Sequence, residues 1–233
     1  DAVAWWYARG ATQRGVELHQ LTEVTGIESE AGQVTGVVTN RGKIACGTVI
    51  QAVAGHSAVM SQKAGFSLPI VAYPLQAMVT LPVKPFLNPL VSSSALHCYV
   101  QQTSRGEIVI GGGSDPYPLY NSRASLPLKE SLVASAVDMF PFLSEMRLLR
   151  QWAGITDMTA DYSPIMGVSP LKNYYLDAGW GTWGFKATPI CGKTMAELVA
   201  SGGQVPELIQ PFALERFDHF QQVNEMGATA ASH

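Results

Sequence analysis

Lys186 stands two residues beyond the last glycine of Gly179-Trp-Gly-Thr-Trp-Gly184, where an apolar strand pattern, Tyr174-Tyr-Leu-Asp-Ala178, gives way to a helical one that runs on through Thr194-Met-Ala-Glu-Leu-Val-Ala200. A strand, a glycine turn and a helix start bring bare backbone close to a ligand. They also offer free N–H groups at the positive end of a helix dipole. The same dipole disfavours a cation on the first turn, so Lys186 is best explained by an anion that meets it. Gly179, Gly181 and Gly184 also spell G-x-G-x-x-G, the dinucleotide pyrophosphate fingerprint, which needs a following strand and an acidic residue about 20 positions on. After the helix come Ser201-Gly-Gly-Gln-Val-Pro206 and Pro211-Phe-Ala-Leu-Glu-Arg216, with no second strand. Either a different anion site or a tight turn packing the last helix on a sheet takes that place.

Other residues invite chemistry less directly. Gly55-His-Ser57 is not G-x-S-x-G, and no acid partner is placed for a serine nucleophile. Ser57 reads instead as the cap of a helix over 58–64, and Ala54-Gly55 as a second ligand-facing glycine loop between strand and helix. Tyr73, His97 and Tyr99 lie on alternating strands, where they line a pocket or serve as core and hairpin residues. Gly111-Gly-Gly113 ends a strand without a phosphate-type helix and reads as a bulge or close packing. Trp152 is expected in the core, and Asp161 as the support of a turn. Cys46, Cys98 and Cys191 show no C-x-x-C and no metal-type spacing to the five histidines. Reduced thiols in a cytoplasmic protein, with no metal, are expected.

The elements that must position these residues follow from periodicity. Residues 2–14 form an amphipathic helix with Val3, Trp6, Tyr7 and Gly10 on one face; 16–20 a short strand; 22–30, 33–39 and 43–46 a β-meander. Strand 48–53 and helix 58–64 come next, then a β-rich block with strands 71–80, 96–103 and 107–113 and a helix over 127–139. Strand 148–156, a turn over 161–167 and the final strand, turn and helix complete the chain. Of its 233 residues 47% are hydrophobic and only 14% charged, so more surface is hidden against partners or an absent segment than in a free monomer. The net charge of −3 is scattered, which argues against nucleic acid or an anionic membrane as partner. Prolines 69, 74, 82, 85 and 89 break the longest apolar region, so it is no membrane span. No signal peptide is visible. The chain opens at Asp1 in a helical pattern and reads as the back part of something longer, half of an α/β layer without its first strand–turn–helix unit.

Gly179-Trp-Gly-Thr-Trp-Gly-Phe-Lys-Ala-Thr-Pro189 resembles the G-W-G-T-G-G-F-K-A/G-T-P segment of the β subunits of heterotetrameric sarcosine oxidases. Asp1-Ala-Val-Ala-Trp5, Glu23-Val-Thr-Gly26, Ala54-Gly-His-Ser57, Ala64-Gly-Phe66, Tyr73-Pro-Leu-Gln-Ala77, Trp152-Ala-Gly-Ile155 and Pro211-Phe-Ala-Leu-Glu-Arg-Phe217 resemble that family in the same order. The family lies in the D-amino-acid-oxidase-like group of FAD enzymes, which oxidise the C–N bond of amino acids and N-methyl amino acids. The resemblance implies an α+β fold: a partial, glutathione-reductase-like FAD-binding α/β domain over 1–69 and 151–233, lacking its N-terminal dinucleotide unit, and an inserted β-rich substrate domain over 70–150.

It further implies that FAD is met by Val24 on the adenine side, by Ala54 and Gly55, and by Gly181, Thr182, Gly184, Phe185 and Lys186 at the pyrimidine end. Lys186 would also meet the substrate carboxylate as the catalytic candidate, with Tyr73, His97 and Tyr99 around the substrate. Covalent FMN would sit on a histidine immediately upstream of Asp1. The implied reaction is oxidative demethylation of sarcosine to glycine, with electrons passing by way of FMN to oxygen. The implied partners are α, γ and δ subunits, with tetrahydrofolate on α. This fragment alone is expected to be inactive. A flavin dehydrogenase for dimethylglycine or proline, and a non-catalytic assembly module, are the competing readings. The chain departs from the family pattern at Trp183, where the family has glycine, and at Ile190-Cys191, where it has Gly-Ser or Gly-Ala. Positive φ at either place would put a bulky side chain under strain.

Overall fold

The computed structural model describes residues 2–223. Its secondary structure is α+β, built on three sheets. The first is the expected meander, β1 (Val24–Glu30), β2 (Gln33–Thr39) and β3 (Gly42–Ala45), antiparallel throughout. Its first turn is Ala31-Gly32, both at positive φ (49° and 76°), the twist that a two-residue hairpin favours. The second sheet sets β11 (Tyr174–Ala178) between antiparallel β10 (Ile165–Val168) and parallel β4 (Val49–Gln51). The third has five strands in the order β6 (Val91–Ser93), β7 (Cys98–Gln102), β8 (Ile108–Ser114), β5 (Ile70–Thr80), β9 (Leu148–Thr159).

Apolar layers join and cover the sheets. Val34, Leu68, Ile70, Ile165, Tyr174 and Leu176 join the meander to the mixed sheet of β4, β10 and β11. Helix α3 (Leu126–Met139) lays Leu132 and Ala136 on Met78, Val100, Ile108 and Ile110 of the large sheet. Full burial of each such leucine or isoleucine contributes about 1.5–3 kcal/mol. Between β4, β11 and α2 (Ser57–Lys63) lies a closed polar network. Gln51 accepts from Tyr174 Oη at 2.7 Å and Ser61 Oγ at 3.1 Å, and donates to the Ser57 carbonyl at 2.9 Å. Burial pushes the Tyr174 phenol up to about 12, so it stays a donor.

Three expectations are corrected. Residues 16–20 form no strand, because no described strand lies beside them to pair with; Val16 and Leu18 are exposed. Helix α1 (Ala2–Thr12) forms as expected and buries none of its residues fully: Trp5 and Trp6 are 65% and 71% exposed. Ser57 is the first residue of α2 rather than its cap; its hydroxyl donates to the Ala54 carbonyl at 2.6 Å, and the cap position is His56. Part of the expected turn over 161–167 is strand β10, which finds a partner in β11. The large sheet also continues past residue 150, since β9 pairs with β5 from Thr80↔Leu148 to Ile70↔Thr159.

The 3-10 turn Ala54–His56 rests directly on β9. A Cβ on Gly55 would lie 2.3 Å from Ile155 Cγ2 and 2.6 Å from the Ile155 carbonyl oxygen. Gly55→Ala is therefore expected to lower stability by about 1–3 kcal/mol, as overpacking against backbone does. Urea unfolding of the two proteins measures this, and an unchanged midpoint would mean the turn is not seated on β9.

Candidate functional site

The turn from β11 into helix α4 (Gly184–Ala200) is built from outside as well as within. Gly179 and Gly181 take φ of 72° and 53°, the left-handed region. Added Cβ atoms there would stand 2.7 Å from Thr159 Cγ2 and 2.7 Å from Met158 Sδ. Both glycines are thus required by space and by backbone. Asp157, on β9 and 2% exposed, reaches across: its carboxylate accepts from Gly179 N–H at 2.6 Å and Gly181 N–H at 3.1 Å. Its carbonyl oxygen accepts from Gly181 N–H as well, at 3.0 Å. On the β11 side, Trp180 Nε1 donates to Asp177 at 2.6 Å. Burial raises both carboxyl groups above the ordinary 3.8; for Asp157 the N–H bonds from Gly179 and Gly181 work against that rise.

Helix α4 opens without a side-chain cap and without an acidic residue in its first turn. The first-turn N–H groups of Gly184, Phe185 and Lys186 have no intrahelical acceptor, as at any helix start. Trp183 has φ −95°, Ile190 is exposed within the helix, and Cys191 is buried against Met166, Tyr175 and Met195. Neither departure from the family pattern therefore strains the backbone. The Lys186 ammonium lies 5.3 Å from the centroid of the Trp183 ring, so the side chain that replaces glycine faces the cation.

A cleft of about 890 Å³ opens on this turn. It brings together Ala54, Tyr99, Gly181, Thr182, Gly184, Phe185 and Lys186 of the residues expected from sequence. Lys186 is the one lysine or arginine among the described lining residues. Tyr99 lies across Gly111 of the neighbouring strand, where a Cβ would meet its hydroxyl at 2.4 Å. The glycine run 111–113 is a bulged strand end, with Gly112 and Gly113 at positive φ, in keeping with the close-packing reading. Trp152, expected in the core, is half-buried and lines the cleft wall.

Four expected residues lie elsewhere. Val24 opens β1 and its carbonyl accepts from Lys63 Nζ at 3.4 Å. Gly55 is buried against Ile155. His97 is exposed in a turn at φ 47°. Tyr73 lines a second cleft, of about 700 Å³, with Val71, Asp115, Met158 and Tyr162; this cleft shares Leu75, Thr156 and Thr182 with the first. Sequence reasoning missed Asp157, Asp177 and Trp180. For Asp177 the available signal was a carboxylate inside the apolar run Tyr174–Ala178; Asp157, just past the expected strand 148–156, gave none.

A wide antiparallel sheet set over a glycine turn and an uncapped helix start, with a single cation in the shared cleft, makes a site suited to an anionic group. Residues 1–198 match the family described as FAD dependent oxidoreductase, and the chain belongs to that family. Over 233 residues it is 45% identical to the sarcosine oxidase subunit beta of Rhodobacter capsulatus, covering 100% of this chain and 56% of that protein. The chain thus spans little more than half the length of such relatives. Among solved structures it is similar to L-proline dehydrogenase from P. horikoshii (TM-score 0.84, 30% identity, 93% of this chain and 59% of that one). It is also similar to glycine oxidase from Geobacillus kaustophilus (TM-score 0.80, 25% identity, 90% and 56%). Among the described residues, no helix is long and apolar enough to cross a membrane.

Proposed function

We propose that this chain is the substrate-facing part of a flavin-dependent amine oxidoreductase of the sarcosine oxidase type, working within a longer β subunit that oxidatively demethylates sarcosine to glycine. One observation carries the reading: Lys186 and the uncapped first-turn residues Gly184 and Phe185 of α4 line one cleft with Tyr99 and Trp152. The donors suit the pyrimidine end of FAD, because no side chain caps the helix start and none of its first-turn residues is acidic. Bound there, FAD supplies a two-electron acceptor. Gly184, Phe185 and Lys186 would hold fixed N–H donors where negative charge develops, without reorganisation. Lys186 would fix the substrate carboxylate and so orient the reacting C–H bond. Tyr99 and Trp152 would exclude water from the same space.

The finer assignments belong to the same proposal. Val24 is the adenine-side backbone contact, Ala54 and Gly55 a separate loop that meets FAD, and Tyr73 and His97 substrate-side residues with Tyr99. The domain division is kept, 1–69 with the C-terminal part against an inserted substrate domain, but with the boundary moved beyond Thr159 to keep β5 and β9 together. FAD would be completed by an N-terminal dinucleotide unit. Covalent FMN upstream of Asp1, oxygen as acceptor, α, γ and δ subunits with tetrahydrofolate on α, and a cytoplasmic location complete the reading.

The test is to produce the chain joined to the N-terminal portion of its relatives and titrate the yellow protein anaerobically with sarcosine, dimethylglycine and proline. Loss of visible absorbance with sarcosine first is expected. Preference for proline would favour the second reading, which the likeness to L-proline dehydrogenase motivates. A colourless protein that still captures partner subunits would favour the assembly module, a reading motivated by the exposed Trp5 and Trp6 of α1.

A further inference from the structure

We infer that Asp157 is a positioning residue for the cleft: its carboxylate holds the Gly179–Gly181 backbone in the shape that aims the first turn of α4. The inference rests on the reading above for its catalytic consequence, and on geometry for the rest. Asp157 comes from β9 in the large sheet, whereas the turn it grips belongs to the sheet of β4, β10 and β11. It is therefore a hydrogen-bonded tie between the wall that carries Tyr99 and Trp152 and the turn that carries Lys186.

Three acceptor contacts converge on two N–H groups: carboxylate to Gly179 at 2.6 Å, carboxylate to Gly181 at 3.1 Å, and the Asp157 carbonyl to Gly181 at 3.0 Å. No lysine, arginine or histidine makes an ion pair with Asp157 among the described residues. A buried carboxylate without a cation is costly, and its backbone donors are what offset that cost. Left-handed backbone at both glycines is held by this acceptor from across the cleft, beside the local bond from Trp180 Nε1 to Asp177. Three residues after Gly181, α4 begins, and any shift of the turn is passed to the donors at Gly184, Phe185 and Lys186.

Asp157→Asn keeps the volume but sets an NH₂ group against one of the two glycine N–H donors. Two readouts separate positioning from bulk stability. In the flavin-free protein joined to its N-terminal portion, amide exchange in peptides covering 178–184 is expected to speed up about tenfold, with the β1–β2 hairpin unchanged. In the flavin-loaded protein joined to its N-terminal portion, kcat for sarcosine is expected to fall about 100-fold, as small misplacements of reacting groups do, with FAD retention unchanged. Asp161→Asn is the stability control and should leave kcat intact. Wild-type kcat in Asp157→Asn, or exchange that rises equally across the chain, would overturn the inference. Should Asp157→Asn fail to fold, Asp157→Glu carries the test, because it keeps the charge while displacing both oxygens; wild-type exchange and kcat there would overturn it equally. Absence of sarcosine turnover in the wild-type protein would sink the functional reading instead, while the exchange measurement still decides the tie.

Discussion

Methionine in place of Lys186 is expected to raise KM for sarcosine about 10–100-fold, the loss that follows removal of one hydrogen bond to a charged group worth about 1.5–3 kcal/mol. The effect should fall on KM more than on kcat, because the lysine fixes the carboxylate in both ground and transition states. Methionine keeps the apolar stem of the side chain, and the residue is exposed, so the fold should not respond. Arginine there should recover part of the affinity, since its cation can still stack on the ring of Trp183, which now faces Nζ at 5.3 Å. Steady-state kinetics on the flavin-loaded protein measures both variants. An unchanged KM in Lys186→Met would remove the carboxylate role, and with it the reason for a cation at a helix start.

The second large effect lies away from the cleft. Arg216 and Asp161 form a two-pronged pair, Nε to Oδ2 at 2.8 Å and Nη2 to Oδ1 at 3.0 Å, with side chains 3% and 2% exposed. Arg216 also donates to the Ser163 carbonyl at 2.9 Å and covers the Phe217 ring at 4.1 Å, while Asp161 accepts from Val223 N–H at 3.1 Å. The pair thus fastens residues 212–223 to the start of β10. Removing one partner of a buried pair leaves an uncompensated charge or unpaired donors, so Arg216→Met is expected to cost about 3–5 kcal/mol. Chemical denaturation at neutral pH would show it, and a change below about 1 kcal/mol would count against a closed, desolvated pair.

The pH dependence of this pair has a defined sign. Burial alone would raise the Asp161 carboxyl, but the Arg216 hydrogen bonds and charge outweigh it and hold the group below its ordinary 3.8. A depressed carboxyl adds stability that is complete above the unfolded value and is lost as pH falls through the folded one. The difference between wild type and Asp161→Asn should therefore be constant near neutrality and shrink only below pH 3.8. Asp157 and Asp177 run the other way. Their raised carboxyls favour the protonated native state, so their contribution weakens as pH climbs from 3.8 through their folded values.

Much of this molecule was legible in the order of its residues, because the signals are local. Alternation and turn residues disclosed the meander with its Ala31-Gly32 corner, the long strands of the large sheet and the glycine turn before α4. The resemblance carried by Gly179 to Pro189 led to the family that residues 1–198 match. Lys186 stood out by charge against the helix dipole. What the sequence could not supply depends on partners distant along the chain. Residues 16–20 alternate like a strand yet lack a described neighbour to pair with, and 165–167 look like part of a turn until β11 lies beside them. Gly55 carries the lettering of a ligand loop, but the closeness of Ile155, a hundred residues on, explains it. Asp157 is the clearest case. Just past the expected strand 148–156 it reads as an ordinary polar residue, and its use appears when tertiary packing brings Gly179 and Gly181 within hydrogen-bond reach from another sheet. Periodicity and turn chemistry act between near neighbours and can be read in one dimension; pairing, close approach and the compensation of buried charge are decided only where separate segments meet.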